Sequence, residues 1–164
     1  MRHAPLELLR RCWQLALVLA LGTGLVACSA TPPAGWAEGG RPTALAPLRW
    51  VNGAYVIDID AEGNVYENGE LRFSLDPHGR VYDPDVEPVA LLDGEGYVHG
   101  PDRRPMGGVG RYEAILPGGE HSWLVLHRGG YLIRYDDDGA GTPMGVWLGC
   151  TDPARMQTCM LVSH

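Results

Sequence analysis

The stretch Ala54–His99, AYVIDIDAEGNVYENGELRFSLDPHGRVYDPDVEPVALLDGEGYVH, decides the fold class. Within it AYVIDI (54–59) runs through Asp60-Ala61-Glu62-Gly63 into NVYE, and LRFSL (71–75) runs through Asp76-Pro77-His78-Gly79 into RVYD. PVALL (88–92) then runs through Asp93-Gly94-Glu95-Gly96 into YVHG. Each piece reads as strand, tight turn, strand, with Gly supplying the positive φ near the end of the turn. Asp60, Asp76 and Asp93 stand 16 and 17 residues apart, so the hairpin is a repeated unit. Repeats this small cannot bury a hydrophobic face alone, and neighbours must stack into one sheet system.

Outward from this stretch the pattern continues more loosely. WLVLH (123–127), Arg128-Gly129-Gly130 and YLIRY (131–135) form a further hairpin, and Pro105-Met106-Gly107 recurs as Pro143-Met144-Gly145. The only helical signal downstream is Thr151–Gln157, where Asp152 can cap and Pro153 suits the first helical position, giving one or two turns. The expected fold is all-β: an antiparallel meander of repeated short hairpins, arranged as a stacked-hairpin sheet, small barrel or sandwich, with one short helical turn near the C-terminus. In architecture alone the repeat resembles WG-type and choline-binding repeats. It lacks their Trp-Gly pairs and regularly placed Trp, so no binding residue is carried over.

Composition narrows the chemistry. All 13 basic residues are Arg, which excludes a lysine Schiff base, a P-loop lysine and a Ser-Lys pair. A net charge of -7 argues against gripping nucleic-acid backbones. The 23 Gly and 13 Pro disfavour long helices, while five Trp and seven Tyr are too many for a chain that stays unfolded.

The N-terminus reads as an address. Arg2, Arg10 and Arg11 precede an apolar run, Trp13–Ala27, of 15 residues, short of the roughly 18 to 20 a spanning helix needs. It ends in Leu25-Val26-Ala27-Cys28, which resembles the lipobox of bacterial lipoproteins. The resemblance implies cleavage before Cys28, a diacylglyceryl group on its thiol, acylation of the new amine and anchoring in a lipid bilayer. Ser29 in second place implies sorting to the outer membrane of a Gram-negative envelope. Residues 1–27 are then the signal peptide, 28–47 a Pro/Ala/Gly-rich tether holding the domain off the lipid, and 48–164 the folded unit. Trp36 is the exception within the tether, suited to rest on the domain or at the lipid interface. The exported chain carries 10 Arg against 19 acids, concentrated between Asp58 and Glu95. Cys12 leaves with the signal and Cys28 takes the lipid, so Cys150 and Cys159 are left to pair in an oxidising compartment. No C-x-x-C pair suggests a metal site on them.

Two constellations could carry chemistry. Asp58-Ile59-Asp60-Ala61-Glu62-Gly63-Asn64 matches the opening of an EF-hand-like loop, with Asp58, Asp60 and Glu62 as Ca²⁺ ligands, although Gly69 holds the twelfth position. A hairpin turn with surface acids is the competing reading. Glu120 and His121 precede the Trp123 strand and His127 follows it; the even offset of the two histidines would put both on one side of an extended strand, for zinc or general-base work. No H-E-x-x-H, strand-to-helix G-x-G-x-x-G or C-x-x-C-H is present. The expectation is a non-enzymatic envelope lipoprotein, an interaction or structural module for an envelope protein or glycan and not for nucleic acid. A Ca²⁺-stabilised binding module and a small envelope hydrolase are the alternatives.

Overall fold

The computed structural model describes residues 31–164; residues 1–27, read from the sequence as an export signal, and Cys28 lie outside the described residues. The twelve strands are β1 (Leu48–Asn52), β2 (Tyr55–Ile59), β3 (Asn64–Glu67), β4 (Glu70–Leu75), β5 (Arg80–Tyr82) and β6 (Pro88–Leu92), followed by β7 (Tyr97–His99), β8 (Pro105–Val109), β9 (Glu113–Ile115), β10 (Ser122–Leu126), β11 (Tyr131–Tyr135) and β12 (Gly141–Leu148). Each pairs antiparallel with the next, and β12 returns to β1 through Trp50↔Trp147 and Val51↔Val146. Of the three expected arrangements the chain adopts the barrel, which leaves no sheet edge open.

The repeated turns gather at one end of this barrel, here called the Asp end. Asp60, Asp76 and Asp93 each take the carbonyl of the residue four places on as backbone partner, at 3.0, 3.0 and 2.8 Å, and His127 does the same at 2.8 Å. The turn HRGG is therefore a fourth copy of the unit with His in the Asp position. Successive turns are bonded to one another: the carbonyls of Gly63, Gly79, Gly96 and Gly130 accept from the N–H groups of Leu75, Leu92, Val109 and Trp147 at 2.7–2.9 Å. The 16-residue period is thus a physical ladder of turns around the mouth of the barrel. The recurring Pro-Met-Gly also has a geometric meaning. Gly107 and Gly145 sit at register shifts in β8 and β12 with φ of +120° and +122°. These bulges bend the two strands and help the sheet close.

The lumen is apolar, filled from the strands by Leu48, Trp50, Ile59, Val65, Leu75, Val81, Val98, Leu124 and their neighbours. Twelve strands about 4.8 Å apart, tilted by about 40°, give a backbone diameter near 24 Å. Inward side chains of about 6 Å leave a channel of roughly 12 Å, the width of an α-helix with its side chains. Helix α1 (Pro153–Ser163) occupies it. Asp152 caps it, its Oδ1 accepting from Ala154 N and Arg155 N at 3.1 Å each, and Pro153 starts it as expected. It runs for 11 residues rather than one or two turns. The six consecutive residues Met156–Leu161 are all buried, which requires cover on every face of the helix. Of its polar groups, Thr158 Oγ1 donates to Ala44 O at 3.0 Å and Ser163 Oγ accepts from Trp147 Nε1 at 2.8 Å, while Gln157 Nε2 is buried without a partner. The Cys150–Cys159 disulfide is formed, with the Cα atoms 6.5 Å apart, and ties the helix to the end of β12.

Residues 31–47 depart from the tether reading. They form a strap that belongs to the folded unit. Thr31 O accepts from Asp102 N at 3.1 Å at the end opposite the Asp turns. The chain then runs down the outside of β5 and β6, where Trp36 meets Tyr82 edge-on with ring centroids 5.0 Å apart and Arg80 Nε donates to Trp36 O at 2.7 Å. Gly35 approaches Leu91, an outward residue only 1% exposed beneath this cover. At the Asp end the strap pairs with the turns: Gly40 N to His78 O at 2.7 Å, Arg41 N to Leu92 O at 2.8 Å, and Thr43 Oγ1 to Asp76 O at 2.7 Å. The Pro and Gly content that reads as flexible linker serves here for close backbone approach; a Cβ on Gly40 would collide with the Leu92 carbonyl.

Candidate functional site

The Asp60 loop is the first candidate, and its carboxylate, like those of Asp76 and Asp93 in the sister turns, is already engaged. Asp60 Oδ1 accepts from Glu62 N and Asn64 N at 3.0 and 2.8 Å, and Oδ2 accepts from Asn64 Nδ2 at 2.8 Å. Asp76 Oδ1 accepts from His78 N and Arg80 N at 2.8 and 3.1 Å, while Oδ2 accepts from Arg80 Nη1 at 3.0 Å. Asp93 Oδ1 accepts three backbone N–H groups, and its Oδ2 lies 2.8 Å from His99 Nε2. Burial alone would raise all three carboxyls, but the hydrogen bonds outweigh it and hold each below the ordinary Asp range. These groups are turn locks.

The calcium-loop residues do not converge. Asp58 lies on β2 and makes a two-pronged pair with Arg49, at 2.6 and 3.0 Å. Asp60 locks its turn, and Glu62 projects from the turn into solvent. Among the described residues no group of three or more His, Cys, Asp and Glu is placed to hold a metal ion. The histidine cluster is likewise divided. Glu120 and His121 are exposed where β10 begins, in a concavity of about 600 Å³ shared with Trp123 and Asp136–Asp138. His127 lies at the other end of that strand, about 16 to 20 Å away at ordinary strand rise. Ser122 beside His121 donates its hydroxyl to Glu113 Oε2.

A site does form at the Asp end, where the chain leaves β12 and turns into α1. This open cleft of about 860 Å³ is lined by Tyr112, His127, Arg128, Leu148, Thr151 and Met156, with Cys150 beside them. The fourth turn places His127 and Arg128, the disulfide fixes the wall at Cys150, and the helix supplies Met156. Its rim presents large side chains to solvent: Tyr112 is 47% exposed, Leu148 53% and the neighbouring Tyr131 59%. Arg128 makes no ion pair among the described residues. Among the described residues the one side-chain hydrogen-bond contact of His127 is a 3.4 Å approach of Tyr135 Oη to its Nε2. The cleft offers aromatic faces, one free cation and hydrogen-bonding edges. Among the described lining residues no serine, threonine or free cysteine is hydrogen-bonded to a base. Tyr112 and Leu148 escaped sequence reading because alternation marks which residues leave the core, not which of those gather at one rim.

Fold and cleft together define a class: a meander barrel plugged by its own C-terminal helix, with an open aromatic-rimmed concavity at the turn end. No family model, no curated protein and no solved structure matches the chain.

Proposed function

We propose that the chain is a membrane-anchored envelope lipoprotein, held through acylated Cys28, whose barrel is a non-catalytic interaction module for an envelope protein or glycan. The observation that carries this reading is the filled lumen. An up-and-down barrel commonly keeps its interior for a ligand or a pore, whereas here α1 occupies it and an open cleft of about 860 Å³ lies outside, at the Asp end. Binding at such a rim uses stacking on Tyr112 and Tyr131 and charge-assisted bonds from Arg128.

The polarity of the wall supports a barrel standing on a membrane rather than within it. Spanning barrels turn apolar residues outward and polar ones inward. In this protein the apolar set faces the lumen, while Arg49, Asp58, Arg72 and Arg80 face outward. Among the described residues no helix is long and apolar enough to cross a membrane.

Two measurements test the proposal in the native host. Replacing Cys28 by Ser should move the protein from the membrane to the soluble fraction; unchanged membrane association would defeat the anchoring. A photo-crosslinking residue at Tyr112 should give a discrete adduct that the same residue at Arg72, on the barrel wall, does not. Identical patterns from the two positions would remove the cleft as the site of interaction.

A further inference from the structure

We infer that the barrel sits flush on the bilayer that holds its anchor, with the end opposite the Asp turns against the headgroups and the cleft pointing away. The inference rests on acylation at Cys28 and adds orientation to it. Thr31 is bonded to Asp102 at 3.1 Å and the following Pro33 is buried, so the strap is part of the fold from its first described residue. Three peptide steps separate Cys28 from Thr31, a reach of about 10 Å at full extension. That is shorter than the barrel wall, whose five-residue strands, tilted by about 40°, rise about 12 Å along the barrel axis before the turns at either end are added. A lipid on Cys28 therefore cannot be reached with the Asp end down. The rim beside Thr31 must face the membrane.

That rim carries suitable groups. The connection Pro101–Arg104 that holds Thr31 exposes Arg103 and Arg104. The neighbouring connection, between β5 and β6, presents Val86 at its tip, 73% exposed and at φ +66°, a backbone that β-branched residues avoid. The turn around Asp83 fixes it there: Val86 N donates to Asp83 O at 3.0 Å, and the Asp83 carboxylate accepts from Asp85 N and Glu87 N at 2.9 Å each. An apolar side chain held out on this rim fits the headgroup–acyl boundary. Asp83, Asp85, Glu87 and Asp102 outnumber the two arginines, and the same end carries Glu120 and Asp136–Asp138, so the surface this rim fits is a zwitterionic phospholipid layer rather than an anionic one, which would repel it.

The test uses the full acylated protein in phosphatidylcholine vesicles doped with a headgroup-nitroxide lipid. With Cys28 acylated and Cys150 joined to Cys159, a single introduced cysteine is the one free thiol for a fluorophore. A label at Val86→Cys should be quenched several-fold more than one at Ala61→Cys, in the Asp60 turn at the far end. Equal or reversed quenching overturns the orientation. Inserting about ten Gly/Ser residues between Ala30 and Thr31 should erase the difference, since such a linker wanders over some 15 to 20 Å; a difference that survives overturns the short-leash argument. Mass measurement on the same sample separates the levels: an unmodified Cys28 defeats the anchoring itself, while acylation with equal quenching defeats the orientation alone.

Discussion

Asp76 shows how much a single carboxylate contributes to this barrel. It receives two backbone N–H groups and the Arg80 guanidinium, its main-chain carbonyl accepts the Thr43 hydroxyl of the strap, and its side chain is 22% exposed. Asp76→Ala should cost about 1.5–3 kcal/mol in urea unfolding, whereas Asp85→Ala, whose side chain locks no turn, should be near neutral; equal effects would remove the turn-lock role. Because Asp60, Asp76 and Asp93 are held below their unfolded values, their stabilisation is present above about pH 4 and fades as pH falls through the folded values. His164 gives a second, separable acid step. Burial lowers it against the raising effect of its bond to Met106 O, at 2.7 Å, and its Nδ1 faces Trp123 Nε1 at 3.3 Å. A neutral ring with its proton on Nε2 satisfies both contacts. Its folded value lies below the unfolded one of about 6.5, so its contribution is complete above that pH and lost on acidification. His164→Gln can keep both bonds without titrating. Melting curves from pH 8 to pH 3 should lose the step below 6.5 in that variant and retain the carboxylate step; a wild-type curve flat from pH 7 to 5 would contradict this.

The hairpins were the most legible elements, and the helix the least. A turn is specified by four adjacent residues, and Asp60, Asp76 and Asp93 carry both the side-chain acceptor and the following Gly that the geometry needs. Even the substituted copy, His127–Gly130, keeps the backbone bonds, because the Gly positions rather than the first side chain decide the conformation. Helix α1 hides from periodicity for the opposite reason. An amphipathic stripe arises when one face meets solvent, and Met156–Leu161 meet none. Its pairing was readable from the cysteine count, and the disulfide spans nine residues, one end on the barrel and the other in the lumen. Cys150→Ala should lower stability by about 2 to 3 kcal/mol on the chain-entropy account. Because Cys159 is fully buried as a small apolar thiol, the helix should remain helical, readable as unchanged far-UV circular dichroism beside a lower urea midpoint. Loss of helical signal would show that the bridge, not the packing, holds α1 in place.

Closure, strap and plug are properties of the entire chain, and no local pattern announced them. The pairing of Trp50 with Trp147 joins residues 97 apart, and which face of residues 31–47 would be covered depends on a wall that exists only after closure. The same distance in sequence hid the cleft: Tyr112, Arg128 and Leu148 come from three separate turns and strands. Twelve strands set a lumen too wide for their own side chains to fill, so the barrel and the helix must stabilise each other. Burying Met156, Cys159, Met160 and Leu161 contributes about 1.5–3 kcal/mol for each large side chain. Against a total of roughly 5–15 kcal/mol for an ordinary domain, that is most of the margin. A chain ending at Gly149 should therefore bind a hydrophobic dye and unfold without a cooperative transition, because water entering an apolar lumen finds few partners there. Adding a synthetic peptide of residues 150–164 should restore a sharp melt if the helix acts as a plug. A truncated chain that melts as sharply and at the same temperature as the whole would mean that the twelve strands close on a core of their own.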